Sequence, residues 1–270
     1  MIDSPWIAAL FALFTWWFST GAILWVVKNA DRGGPDAHLL SGIFGLPFLA
    51  AGIWGIWLTL DLTTTAAVYG GFVSALAIWG WIELAFLAGL VTGPNRSPCP
   101  PGTYGVERFL RAWGTIASHE ALLVVALSVL AAVSLGAENP FGFYTFALLY
   151  VARIFAKLNL FFGVPKINLE FLPTTLAHLP SHFRQTRQSL FFPVSVVLLA
   201  LTLGCWMARL MENDGARGVG FALLTAMTAL ALLEHVLMVM RLPDERLWRW
   251  MLPAPKPNDK TLTQGKTHGL

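Results

Sequence analysis

Eight polar residues in this 270-residue sequence sit where apolar neighbours make them expensive: Glu83, His119, Glu120, Arg153, Lys157, Asn159, Glu234 and His235. An ionised Asp, Lys or Arg at the centre of a hydrocarbon layer costs about 2.5–3.5 kcal/mol on insertion scales, so such groups turn inward and pair. The residue types allow four chemistries. Three carboxylates and two permanent cations can form a structural ion-pair network that sets helix packing. Histidines beside glutamates can bind a metal, or one histidine can coordinate the central magnesium of a chlorin pigment, with His119 and His235 as candidates. A chain of acids and bases can also carry protons or ions. Against a metal, adjacent Glu-His residues project about 100° apart on a helix. They therefore differ from the Glu-x-x-His pairs of di-iron bundles. Cys99 has no evident base partner and reads as a loop thiol.

The elements that must position these residues are helices in lipid. Hydrophobic residues make up 56% of the chain and charged ones 12%, with mean hydropathy +0.63. A soluble domain carries about a quarter charged residues. Seven stretches are long enough to span a bilayer, which takes roughly 20 apolar residues: about 6–27, 39–60, 65–92, 109–135, 141–163, 190–211 and 218–241. The expected fold is an all-α, polytopic bundle of seven transmembrane helices over residues 1–252, with a disordered cytoplasmic tail at 253–270. The start, Met1-Ile2-Asp3-Ser4-Pro5, has no basic n-region, so the first segment reads as a retained helix. Gly42, Gly45, Gly52 and Gly55 in the second segment, and Gly89-x-x-x-Gly93 in the third, permit close helix approach.

Orientation follows from the positive-inside rule. Lys28, Arg32, Arg96, Arg108, Arg111, Lys166, Arg184, Arg187, Arg241, Arg246, Arg249, Lys256, Lys260 and Lys266 fall on one side, and Arg209 and Arg217 on the other. This distribution predicts a periplasmic N-terminus and a cytoplasmic C-terminus. It also accounts for the net charge of +3 without a nucleic-acid partner. Trp6, Trp25, Trp57, Trp206, Trp248 and Trp250 fall near helix ends as interfacial anchors, whereas Trp16, Trp17, Trp79 and Trp81 read as packing residues.

In this frame the buried polar groups share a level. At a rise of about 1.5 Å per residue, Glu83 lies about 13 Å inside Thr92 and His119 and Glu120 about 15 Å inside Phe109. Arg153 and Lys157 lie about 15 and 9 Å inside Gly163, and Glu234 about 10 Å inside Arg241. Arg153 and Lys157 are also four apart and share a helix face. One intramembrane cluster on the cytoplasmic side is expected. The long connection 164–189 reads as a short amphipathic helix on the membrane surface, bound to headgroups or docking a protein through Phe171, Leu172, Leu176, Phe183, Arg184 and Arg187.

Several strings, taken in order, match a known family. They are Thr15-Trp16-Trp17-Phe18-Ser19-Thr20-Gly21, Trp79-Gly80-Trp81-Ile82-Glu83 running to Val91-Thr92-Gly93-Pro94, and Ser97-Pro98-Cys99-Pro100-Pro101-Gly102. The fifth segment ends Ala156-Lys157-Leu158-Asn159-Leu160-Phe161-Phe162-Gly163-Val164-Pro165, followed by Glu170-Phe171-Leu172-Pro173 and Phe192-Pro193-Val194-Ser195. Leu233-Glu234-His235, Leu242-Pro243-Asp244 and Leu247-Trp248-Arg249-Trp250 complete the set. Over about residues 10–252 the chain resembles the PuhE family of photosynthetic complex assembly proteins from anoxygenic phototrophic bacteria. The resemblance implies a role in building the reaction centre with its core antenna, or in supplying bacteriochlorophyll or a precursor to it. It implies reaction-centre or core-antenna subunits and other assembly factors as partners, in the cytoplasmic or intracytoplasmic membrane. It supplies no catalytic residue. A non-enzymatic assembly factor is therefore expected, the alternative being a membrane enzyme acting on a tetrapyrrole or lipid through a Glu/His metal site.

Overall fold

A computed structural model describes residues 2–34, 36–167, 169 and 172–240. The expected tail at 253–270, the basic and tryptophan residues beyond 240, and Phe171 lie outside the described residues. Seven long α-helices form the body: α1 Pro5–Ala30, α2 Ala37–Thr59, α3 Thr65–Leu87, α4 Gly105–Val133, α5 Phe141–Phe162, α6 Phe191–Glu212 and α7 Gly215–Leu237. Each is long and apolar enough to cross a membrane, and no strand occurs among the described residues. Helices are the natural outcome in lipid, because each satisfies its own backbone hydrogen bonds.

Helices α3 and α7 are the innermost, and each packs on α1 and α5 as well as on the other. Their shared core joins Val68, Phe72 and Leu76 of α3 to Val219, Leu223, Leu224 and Met227 of α7, with Ala8 and Ala12 of α1 and Phe141 and Leu148 of α5. A second layer joins α2, α3, α4 and α5 around Ile78, Ile82, Leu123, Leu130 and Phe146. Large apolar side chains such as Phe44, Phe48, Trp54 and Trp57 on α2 point outward, as lipid-facing residues should. The glycines of α2 meet α3 of the same chain. A Cβ on Gly52 would lie 2.8 Å from the Ser74 carbonyl, and one on Gly55 2.1 Å from the Ser74 hydroxyl.

Helix α3 ends five residues before the expected Thr92. Gly89 takes a left-handed φ of +76°, and the Leu90 and Val91 amides both turn back to the Ala85 carbonyl. This is the glycine-terminated helix end. Gly89 and Gly93 therefore lie beyond the helix, and the expected Gly-x-x-x-Gly helix contact does not form. Residues 92–95 instead run along α4. The His119 amide donates to the Thr92 carbonyl at 3.1 Å, and the Asn95 amide donates to the Gly114 carbonyl at 2.9 Å. Paired glycines permit the approach, since a Cβ on Gly93 would sit 2.0 Å from the Gly114 oxygen.

The connection 164–189 corrects the expected surface helix. Pro173 and Pro180 break it into two short 3-10 turns, Thr174–Leu176 and Leu179–His182. The segment folds over the end of the bundle as a cap. Leu176 and Leu179 are buried against Phe86, so Leu176 belongs to the core and offers no docking surface. Phe183 and Leu172 are half-buried, and of the described residues in the expected docking set only Arg184 and Arg187 are exposed. Hydrogen bonds fasten the cap to several helices. Lys28 donates to the Leu172 carbonyl at 2.8 Å, Thr175 to the Leu87 carbonyl at 2.7 Å, and the Cys99 amide of the loop before α4 to the Ser181 hydroxyl at 2.9 Å.

Candidate functional site

Beneath this cap, α3, α4 and α5 bring five of the eight singled-out residues together. Glu83 is buried, with one carboxylate oxygen 3.0 Å from an Arg153 guanidinium nitrogen. Its other oxygen lies 3.8 Å from Nε2 of His119, too far for a hydrogen bond. Glu120, at 1% exposure, pairs with the Lys157 ammonium, itself above the Phe86 ring at 5.8 Å. Arg153 and Lys157 stand one turn apart on α5, so one helix face serves both acids. Two carboxylates and two cations thus compensate each other between three helices.

His119 occupies the middle. It is fully buried, its ring lies 4.3 Å from that of Phe86, and neither ring nitrogen has a hydrogen-bond partner. A buried polar group without a partner costs about 1–3 kcal/mol.

The other three residues lie at the edge of the network or outside it. The Glu234 carboxylate takes a hydrogen bond from Trp16 of α1 and feels the Arg153 charge, while the residue keeps an exposed outer side. Trp16 therefore holds an acid where bulk packing alone was expected. Asn159, two positions beyond Lys157, points roughly 200° away around α5. Its amide donates to Ser195 of α6 at 2.9 Å. His235 of α7 is buried, with Nδ1 2.8 Å from the Ala231 carbonyl and Nε2 without a partner. Nδ1 must carry the proton to make that bond, which leaves Nε2 as the bare nitrogen.

Arg108 is a positioning residue that counting loop charges missed. It lies in the first turn of α4 and is buried, its guanidinium 4.1 Å above the Phe161 ring. It donates to the carbonyls of Phe161 at 3.0 Å and His182 at 2.8 Å, joining α4, α5 and the cap. His182 in turn approaches the Ser97 carbonyl at 3.2 Å. Nearby, burial holds the His178 imidazole below its ordinary value, and the charges of His182 and Arg96 push the same way.

The arrangement is a closed electrostatic lock more than an open reaction site. Both acids already have cationic partners, and among the described residues no three His, Cys, Asp or Glu side chains stand together to hold a metal ion. The histidines have the donor chemistry for a magnesium chlorin, but their packing does not fit one. His119 is 0% and His235 1% exposed, so a macrocycle would reach either only if helices parted.

Seven apolar helices locked by internal ion pairs define a multi-pass membrane protein. The chain belongs to the family described as "Protein of unknown function (DUF3623)", which matches residues 2–259. A Rhodobacter capsulatus relative, described as "Uncharacterized 30.4 kDa protein in puhA 5'region", is 49% identical over 265 residues, covering 97% of this chain and 96% of the relative. No solved structure matches the chain.

Proposed function

We propose that this chain is a non-enzymatic assembly factor that holds newly made reaction-centre or core-antenna subunits in the membrane of a phototrophic bacterium. The observation that carries this reading is the near-full-length relative whose description sets it in the puhA 5' region, the neighbourhood of a reaction-centre gene. The PuhE-like strings support the same role. The interior supports it differently: Glu83 and Glu120 are neutralised by Arg153 and Lys157, which favours a rigid scaffold over acid-base or metal catalysis. Arg184 and Arg187 on the cap, with the half-buried Phe183, form the exposed basic surface for a partner at that end. The described basic residues cluster at the capped end, which by the positive-inside rule supports a cytoplasmic cap and a periplasmic N-terminus.

Affinity purification in mild detergent from cells building their photosystem, with partner identification and an absorption spectrum, tests the role. Reaction-centre or core-antenna subunits are expected to co-purify above the background of other membrane proteins. Their absence, together with normal photosystem levels in a deletion strain, would remove the proposal.

A further inference from the structure

At the end of the bundle opposite the cap, a cavity of about 550 Å³ opens between the loop before α5, the last turns of α6 and the first turns of α7. Its apolar wall consists of Phe141, Tyr144, Trp206 and Phe221. Trp206 stacks on Phe221 at 6.0 Å and meets Tyr144 at a tilt at 5.9 Å, and Phe141 meets Phe221 edge-on at 5.3 Å. The indole N–H of Trp206 is buried here without a hydrogen-bond partner.

The polar rim is distinctive in its charge. Among the described residues, Arg209 and Arg217 are the only Lys or Arg at this end, and both line this one cavity. Their existing pairings are loose and solvent-exposed. Arg209 lies 3.4 Å from Glu212, and Arg217 is 4.0 Å from Glu138, a lining residue. Such exposed pairs are worth about 0–1 kcal/mol, so a better anion can displace them. Counting the lining groups, two cations face one carboxylate.

We propose that this cavity binds the headgroup of an anionic phospholipid from the adjoining leaflet, with Arg209 and Arg217 clamping the phosphate and the aromatic wall receiving the glycerol and upper acyl chain. Guanidinium groups bind phosphate through paired charge-assisted hydrogen bonds, and the Trp206 N–H, buried without a partner, becomes a further donor to an ester or phosphate oxygen when the indole turns towards it. The position suits a lipid, because α6 and α7 end here at the level where headgroups lie. The volume falls within the roughly 300–1,000 Å³ of small-ligand sites, room for a headgroup and glycerol rather than a whole lipid. A choline headgroup would also find aromatic rings, but the two arginines oppose it.

The test uses the full-length protein purified in detergent and loaded with phosphatidylglycerol or phosphatidylcholine, with retained lipid counted by native mass spectrometry. Wild type is expected to keep one phosphatidylglycerol more than the Arg209→Gln/Arg217→Gln double variant, whose affinity at this site falls about tenfold or more. Retention of phosphatidylcholine should match in the two proteins. Trp206→Phe, which keeps the wall and deletes only the donor, should weaken binding severalfold, and a photoactivatable phosphatidylglycerol should label peptides from 136–144 and 206–221. Equal phosphatidylglycerol retention by wild type and double variant would overturn the proposal. So would equal binding of both lipids, or displacement by millimolar inorganic phosphate, which would mark a site for free anions.

Discussion

The Lys157–Glu120 pair is the most demanding part of the lock. Lys157→Met removes the ammonium and keeps the length of the stem, stranding a Glu120 carboxylate that is 1% exposed. Removing one partner of a buried pair costs about 3–5 kcal/mol, because a desolvated charge is left uncompensated. At about 2–4 °C per kcal/mol for a chain of this size, the apparent melting temperature falls by roughly 10 °C. Thermal unfolding in a fixed detergent, followed by circular dichroism and by recovery of monodisperse protein, reads the change. Glu120→Leu combined with Lys157→Met should return stability to within about 1 kcal/mol of wild type, since an apolar replacement of both partners removes the desolvation cost as well as the attraction. The exposed Glu107–Arg111 pair on α4, the helix of Glu120, is the control, and Glu107→Gln there should cost less than about 1 kcal/mol. If Lys157→Met behaves like that control, or if the double variant is as unstable as the single one, the two side chains do not form a buried, mutually dependent pair.

Two further outcomes follow from other parts of the molecule. Gly93→Ala should abolish folded yield in detergent extracts, since its Cβ would meet the Gly114 carbonyl at 2.0 Å, whereas Gly204→Ala on open helix surface should be neutral or slightly stabilising. The cap should loosen in acid: burial holds the His178 imidazole below its ordinary value of 6.5 in the folded protein, so the unfolded segment gains its proton first as pH falls through that value. Hydrogen exchange across 174–187 should therefore be slow at pH 7.5 and disproportionately fast at pH 5.5 after correction for intrinsic rates, a difference that His178→Phe reduces.

Helix number and most boundaries were legible because lipid demands long apolar runs with polar breaks. The end of α3 was not, since Ala88, Leu90 and Val91 continue the apolar run. Ala88 is buried, Val91 half-buried and Leu90 exposed, so all three can be apolar in a lipid setting, and only Gly89 marks the turn. The meeting of Glu83, Glu120, Arg153 and Lys157 was legible from depth and from the four-residue spacing on α5. Depth says nothing about azimuth, however, and azimuth sends Asn159 towards Ser195 and keeps His235 apart. The cap was misread because its alternating apolar residues imitate an amphipathic helix, while Pro173 and Pro180 forbid one. Arg108 left no sequence signal that distinguished it from a loop arginine.

The lock also constrains how the chain enters its membrane. Glu83 waits 70 residues for Arg153, and Glu120 waits 37 for Lys157. At bacterial synthesis rates of about 5–20 residues per second, α3 carries an unneutralised acid for several seconds before its countercharge is made. Until α5 emerges, each acid is cheaper to hold protonated or beside the insertion machinery than ionised in lipid, so the two ion pairs close only when the third helix of the lock arrives.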